Sequence, residues 1–210
     1  MDAATVADAV ARGNGIAARV LGNWCVLHRP TEAIRPMRAS SALMRLPVRF
    51  VAAGRRASSL PHPVHEAVLD GAYVRVGDVL VGDDGLVWIV ASCEVFLPVL
   101  CVRAARIVGV SRGGTERSVG LGGYGGAVGS TPLLDGWPAS MVASGGGLDQ
   151  AGIPTDVAPG AWSVLLPLLP AATVLRAGDV LGDDLGRSGV VTVAEPTPNG
   201  WHLTVRQAVP

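Results

Sequence analysis

The stretch Arg75–Ala91, "RVGDVLVGDDGLVWIVA", has a near-copy 101 positions later, Arg176–Ala194, "RAGDVLGDDLGRSGVVTVA". Both place a Gly-Asp pair before Val-Leu, then an acidic turn, then an apolar run. Gly and Asp supply the turn chemistry, and short runs of Val, Ile and Trp between such turns read as β-hairpins. A repeated hairpin unit constrains the fold more than any other feature of the chain, because it calls for two small β modules rather than one large domain.

Composition is consistent with this. Among 210 residues, 49% are hydrophobic, mean hydropathy is +0.40 and only 4% are aromatic, so the cores must be filled mainly by aliphatic side chains. With 28 Gly and 15 Pro, the chain favours turns and extended backbone over long helices. Charged residues make up 16%, too few for a disordered chain at this apolar content.

Seventeen basic residues balance seventeen acidic ones, so no net field draws the chain to nucleic acid or to a membrane surface. All the basic residues are arginine, which reflects either a biased genome or the suitability of its planar fork for polar interfaces. Cys25, Cys93 and Cys101 do not form a disulfide framework; the last two sit in strand-like sequence as buried hydrophobes. The N-terminal "MDAATVADAVARGNG" lacks the basic start and apolar core of a signal peptide, and no apolar run is long enough to span a bilayer. The expectation is synthesis in the cytoplasm without export.

Along the chain, residues 3–21 predict a helix with an apolar face of Val6, Val10, Ala17 and Val20/Leu21, weakened at Gly13–Gly15 and stopped at Gly22. "NWCVLHRP" reads as a strand closed by Pro30, and Val48–Val51 as a strand entered at Pro47. "HEAVLDGAY" reads as a short helix or turn. The near-continuous apolar runs of the first repeat imply strands buried on both faces. A Gly-rich segment follows, and residues 111–147 predict an extended arm or linker with Leu133, Leu134, Trp137 and Met141 as anchors for a partner. From Trp162 onward the pattern is strand and turn, closing on "WHLTVRQ". The fold class expected is mainly β: two related small β-barrel or sandwich modules joined by a Gly-rich extended arm, with a short N-terminal helix. The boundaries are 1–110, 111–147 and 148–210. Set in register, Gly77-Asp78 matches Gly178-Asp179. Ala91, Leu100, Val102 and Arg103 match Ala194, Leu203, Val205 and Arg206 at a common offset of 103.

Several motifs invite chemistry. "GVSRG", Gly109–Gly113, fits a nucleophile elbow around Ser111, with Asp135, Asp149 or Asp156 and His202 as partners. The Gly-rich continuation cannot form the helix an elbow requires. Cys25/His28 and His62/His65 have zinc-like spacing, but residues three apart on a strand point to opposite faces. Asp83-Asp84 and Asp183-Asp184 fit hairpin turns better than a calcium loop, which needs six or more oxygens. "GGYGG" precedes no helix that would cradle phosphate. No catalytic residue, cofactor or metal is therefore expected. Arg103 and Arg206 join the arm residues as candidate partner contacts.

"CVLHRPT", "LMRLPVRFVAA" and "GAYVRVGDVLVGDDGLVWIVASCEVFLPVLCVRAARIVGVSR" resemble tailed-bacteriophage and prophage virion structural proteins. The same holds for "TPLLDGWPASM", "PGAWSVLLP" and "AGDVLGDDLGRSGVVTVAE…GWHLTVRQA", so the resemblance runs from about Ala17 onward. A looser similarity links the GD turn and "VWIV" strand to small head–tail joining β-barrel proteins. The resemblance implies a non-enzymatic virion component of the tail or head-to-tail interface. It would connect portal or adaptor, nozzle or tail-fibre proteins as an oligomeric ring component. Alternatives are a capsid decoration protein, or a Ser-dependent hydrolase or carbohydrate-binding module.

Overall fold

The computed structural model describes residues 2–53, 61–113, 130–144 and 160–207. Twelve strands among these residues form two closed barrels. The first comprises β1 (Asn23–His28), β2 (Ala42–Ala52), β3 (Val64–Val68), β4 (Val79–Gly82), β5 (Val87–Ser92) and β6 (Val99–Ala104). The second comprises β7 (Arg106–Gly113), β8 (Ser130–Ser144), β9 (Ala161–Leu166), β10 (Val180–Asp183), β11 (Ser188–Thr197) and β12 (Gly200–Gln207). The order around the first is β1-β2-β3-β6-β5-β4, and β7-β8-β9-β12-β11-β10 repeats it strand for strand. Closure removes the free sheet edges that would otherwise invite aggregation.

The repeat extends to single residues. Arg29 corresponds to Arg112, Pro47 to Pro138, Asp78 to Asp179 and Gly85 to Gly186, each pair fixed by the same ladder partners. Gly77 and Gly178 both have positive φ, 88° and 93°, a backbone region that a residue with a Cβ adopts only at a cost. That kink turns each chain so that Val90 N–H donates to the Asp78 carbonyl at 2.9 Å, and Val191 N–H to the Asp179 carbonyl at 2.8 Å. Val90 pairs with Cys101, and Val191 with Val205. Cys101 therefore corresponds to Val205, Val102 to Arg206 and Arg103 to Gln207. The offset of 103 expected for the last strand is corrected to 104, and Ala91 corresponds to Thr192 rather than Ala194. The common offset of the four pairs came from β-strand composition and not from shared position.

The expected boundaries are also corrected. Ala105 alone separates β6 from β7, so no linker joins the barrels, and the second barrel begins at Arg106. In sequence the Gly-rich segment falls between strands β7 and β8 of the second barrel, and residues 114–129 and 145–159 are outside the described residues. Residues 130–144 form the long strand β8 rather than an arm, pairing with β7 and β9. "HEAV" belongs to strand β3, and only Gly71–Tyr73 forms a helical turn.

Helix α1 (Ala3–Leu21) forms as predicted, capped by the Asp2 carboxylate, which accepts from Thr5 N–H at 2.8 Å. Its chain-facing side differs from expectation. The small residues Ala7, Ala11, Gly15 and Ala18 turn towards the barrel, while Val6, Val10, Val20 and Leu21 are exposed. Close approach is the reason: a Cβ on Gly22 would lie 2.6 Å from the Val48 carbonyl carbon.

Candidate interaction surfaces

Each barrel interior is built from one alternate face of its strands. Leu27, Leu46, Leu80 and Val90 fill the first, and Val110, Leu134, Trp137, Val164 and Leu203 the second. At the mouth of each barrel a bidentate arginine holds a buried carboxylate. Arg29 donates from Nε and Nη2 to Asp78 at 2.8 Å each, and Arg112 to Asp179 at 2.7 and 2.9 Å. The same carboxylates accept the backbone N–H of Arg75 and Arg176, both at 2.8 Å. Both Asp side chains thus accept three hydrogen bonds from their own barrel.

The barrels join through the outer faces of β3, β5 and β6 on one side and β8, β9 and β12 on the other. Val64, Ala91 and Val102 pack on Leu165. Leu168 lies against Gly77, and Asn199 Nδ2 donates to the Ala91 carbonyl at 2.7 Å. His62 is buried in this seam, 3.0 Å from Ser140 Oγ through Nδ1 and 3.3 Å from Ser163 Oγ through Nε2. The His202 ring stands edge-on to it, centroids 6.1 Å apart. Burial, with the neighbouring His202 adding to it, holds the His62 imidazole down at about 4. A second stitch comes from the β1–β2 loop, where the Ala33 carbonyl accepts Trp137 Nε1 at 2.7 Å.

This packing is head to tail, so corresponding faces have different fates. Val79 and Ile89, on the outer side of the first barrel, are 0% exposed. Their counterparts on the second barrel, Val180 and Val190, are 38% and 39% exposed. A Cβ on Gly77 would meet Leu168 at 2.8 Å, whereas one on Gly178 would meet nothing within 4 Å. Conversely, the β9 and β12 surface that the second barrel presents to the first has its counterpart in an open groove on the first barrel. That groove has a volume of about 510 Å³. Glu66, Val68 and the Val95–Pro98 turn line it, with α1 along one side. Val95, Phe96 and Leu97 are all exposed there, and Phe96 adopts a positive φ of 68°, a strained state for an aromatic residue.

The candidate contacts from sequence fall elsewhere. Leu134 and Trp137 are core residues of the second barrel, and Leu133 and Met141 are partly buried against that core. They are corrected from partner anchors to barrel packing, because β8 is a wall of the second barrel and its register shifts opposite Val108–Ser111 bring both Leu134 and Trp137 to the core. Arg103 and Arg206 are exposed, but at non-corresponding positions. Ser111 lies within β7, opposite Pro132 and Val180, rather than on a strand-to-helix turn. Asp149 and Asp156 lie outside the described residues. Cys25 points into the first barrel, whereas His28 meets Ser41 Oγ at 3.0 Å. His62 sits in the seam, while His65 stands over Trp88 inside the first barrel. Asp83 pairs with Arg45 at 2.6 Å, and Asp183 with Arg187 Nε at 2.7 Å. Sequence reasoning missed the seam and the groove; the exposed "VFLP" turn was the one local signal for the latter.

Comparison with protein-family models, curated proteins and solved structures finds no match to this chain.

Proposed function

We propose that this chain is a non-enzymatic structural protein of a tailed-bacteriophage virion. Its place would be the tail or head-to-tail interface, where it connects neighbouring virion proteins as a component of an oligomeric ring. The observation that carries the reading is the head-to-tail packing of two copies of one barrel, which leaves an uncovered face at each end. Heterologous contacts of this kind extend from subunit to subunit and close into rings when the rotation allows. The buried titratable groups support a mechanical role, since each Asp carboxylate clasps its own barrel and His62 bonds across the seam between them.

Localisation in purified particles tests the proposal. Cryo-EM of intact virions, with antibody labelling of this chain, is expected to find density for paired six-stranded barrels at the tail or its junction with the head. Particles that lack the chain, or carry it scattered over the capsid shell, overturn the reading.

A further inference from the structure

The seam inside one chain describes how two chains meet. The first barrel receives the second on the outer side of β3, β5 and β6, where Ala91 and Val102 pack on Leu165 and are fully buried, as are Val79 and Ile89 on the same outer side. The second barrel has the same surface with nothing on it: Val180, Val190, Thr192 and Arg206 occupy the corresponding positions and all are exposed. The surface that enters the seam includes Ser163 and Leu165 of β9 and the β11–β12 turn at Asn199. In the first barrel Glu66 and Val68 correspond to Ser163 and Leu165, and the β5–β6 turn with Val95 corresponds to the β11–β12 turn; all three residues line the groove beside α1.

We propose that the uncovered face of the second barrel docks into the α1 groove of a second copy of this chain, reproducing the internal seam between molecules. Charge separates this occupant from an unrelated partner. At the internal seam Val102 packs on Leu165, an apolar pair. In the intermolecular version Arg206 stands where Val102 stood. The groove that receives it carries Glu66 beside Val68, together with Glu94 and Asp8, and none of the described residues lining it is basic. The two faces carry opposite charge around apolar centres, Val180 and Val190 against Val68, Val95 and Leu97. Like charges on both would block the contact. Because each chain carries one of each face, the contact is heterologous and propagates. The inference deepens the ring-component part of the proposed function and rests on that part alone, since it concerns the free protein and not its place in a particle.

Two single substitutions at exposed sites test it in the full-length chain: Val190→Asp on the uncovered face and Leu97→Asp in the groove. Sedimentation velocity of the wild type should show species heavier than a dimer of the 21.4 kDa chain as concentration rises. Each variant alone loses its heavier species and sediments at least twofold lighter. An equimolar mixture of the two forms a dimer and stops there, because one intact face remains on each partner. Reversing both charges in one chain, Arg206→Glu with Glu66→Arg, restores assembly that either reversal alone weakens. A wild type that stays monomeric at every concentration overturns the inference, as do variants that assemble like wild type or a mixture that remains monomeric. A chain found in virions yet monomeric in solution defeats only this inference; one that self-assembles yet is absent from particles defeats only the virion reading.

Discussion

Asp78 and Asp179 are the same buried carboxylate placed twice, each gripped by an arginine at the end of the first strand of its own barrel and by a backbone N–H three residues upstream. Each arginine also reaches a carbonyl on the approach to the turn, Tyr73 at 3.1 Å and Val174 at 2.9 Å. One four-point clasp therefore closes both barrels at the same corner.

Removing the carboxylate should loosen each barrel alike. Asp78→Ala deletes charge-assisted hydrogen bonds whose loss costs about 2–3 kcal/mol. Asp179→Ala should have a matching effect. Chemical denaturation of the two variants checks this, with similar falls in midpoint expected. A large loss at one site and none at the other contradicts equivalent clasps.

The seam should weaken in mild acid. The folded pKa of His62, about 4, lies below the ordinary histidine value of 6.5, so the unfolded chain binds more protons between those limits. Stability is fully present above pH 6.5 and falls as pH drops towards 4, by on the order of 3 kcal/mol at the limit. His202, also lowered by burial, adds in the same direction. Thermal melts from pH 7.5 to 4.5 should show this slope, and His62→Gln should flatten it.

The thiols should resist labelling. Burial pushes Cys25 up to about 11 and Cys101 higher still, so neither supplies thiolate near neutral pH. A disulfide-exchange reagent should modify only the half-buried Cys93 in native protein, slowly, and all three after denaturation. Rapid native labelling of more than one thiol contradicts the packing.

Trp137→Ala should unfold the second barrel in preference to the first. The side chain is 0% exposed and also donates to the Ala33 carbonyl, so truncation costs about 3–5 kcal/mol. Hydrogen exchange should lose protection over β7–β12 while β1–β6 keep it. A variant as stable as wild type would restore the idea of residues 130–144 as a dispensable arm.

The sequence alone determined the turns and the duplication, because Gly77-Asp78 and Gly178-Asp179 act through local geometry that any chain with those residues must follow. It determined the mainly β class and helix α1 for the same reason. Strand β8 was not legible: Pro132, Gly136 and Pro138 read locally as loop, and only the burial of Leu134 and Trp137 between neighbouring strands makes them a barrel wall. The match of Arg103 to Arg206 failed because the β11–β12 hairpin is longer than the β5–β6 hairpin, which moves the offset from 101 before the equivalent bulges at Ala91 and Thr192 to 104 on the returning strand, a change that composition does not reveal. Which helical face meets the barrel, and which of two corresponding surfaces is covered, follow from close approach and packing order. Those are properties of neighbours distant in the chain, and no local pattern encodes them.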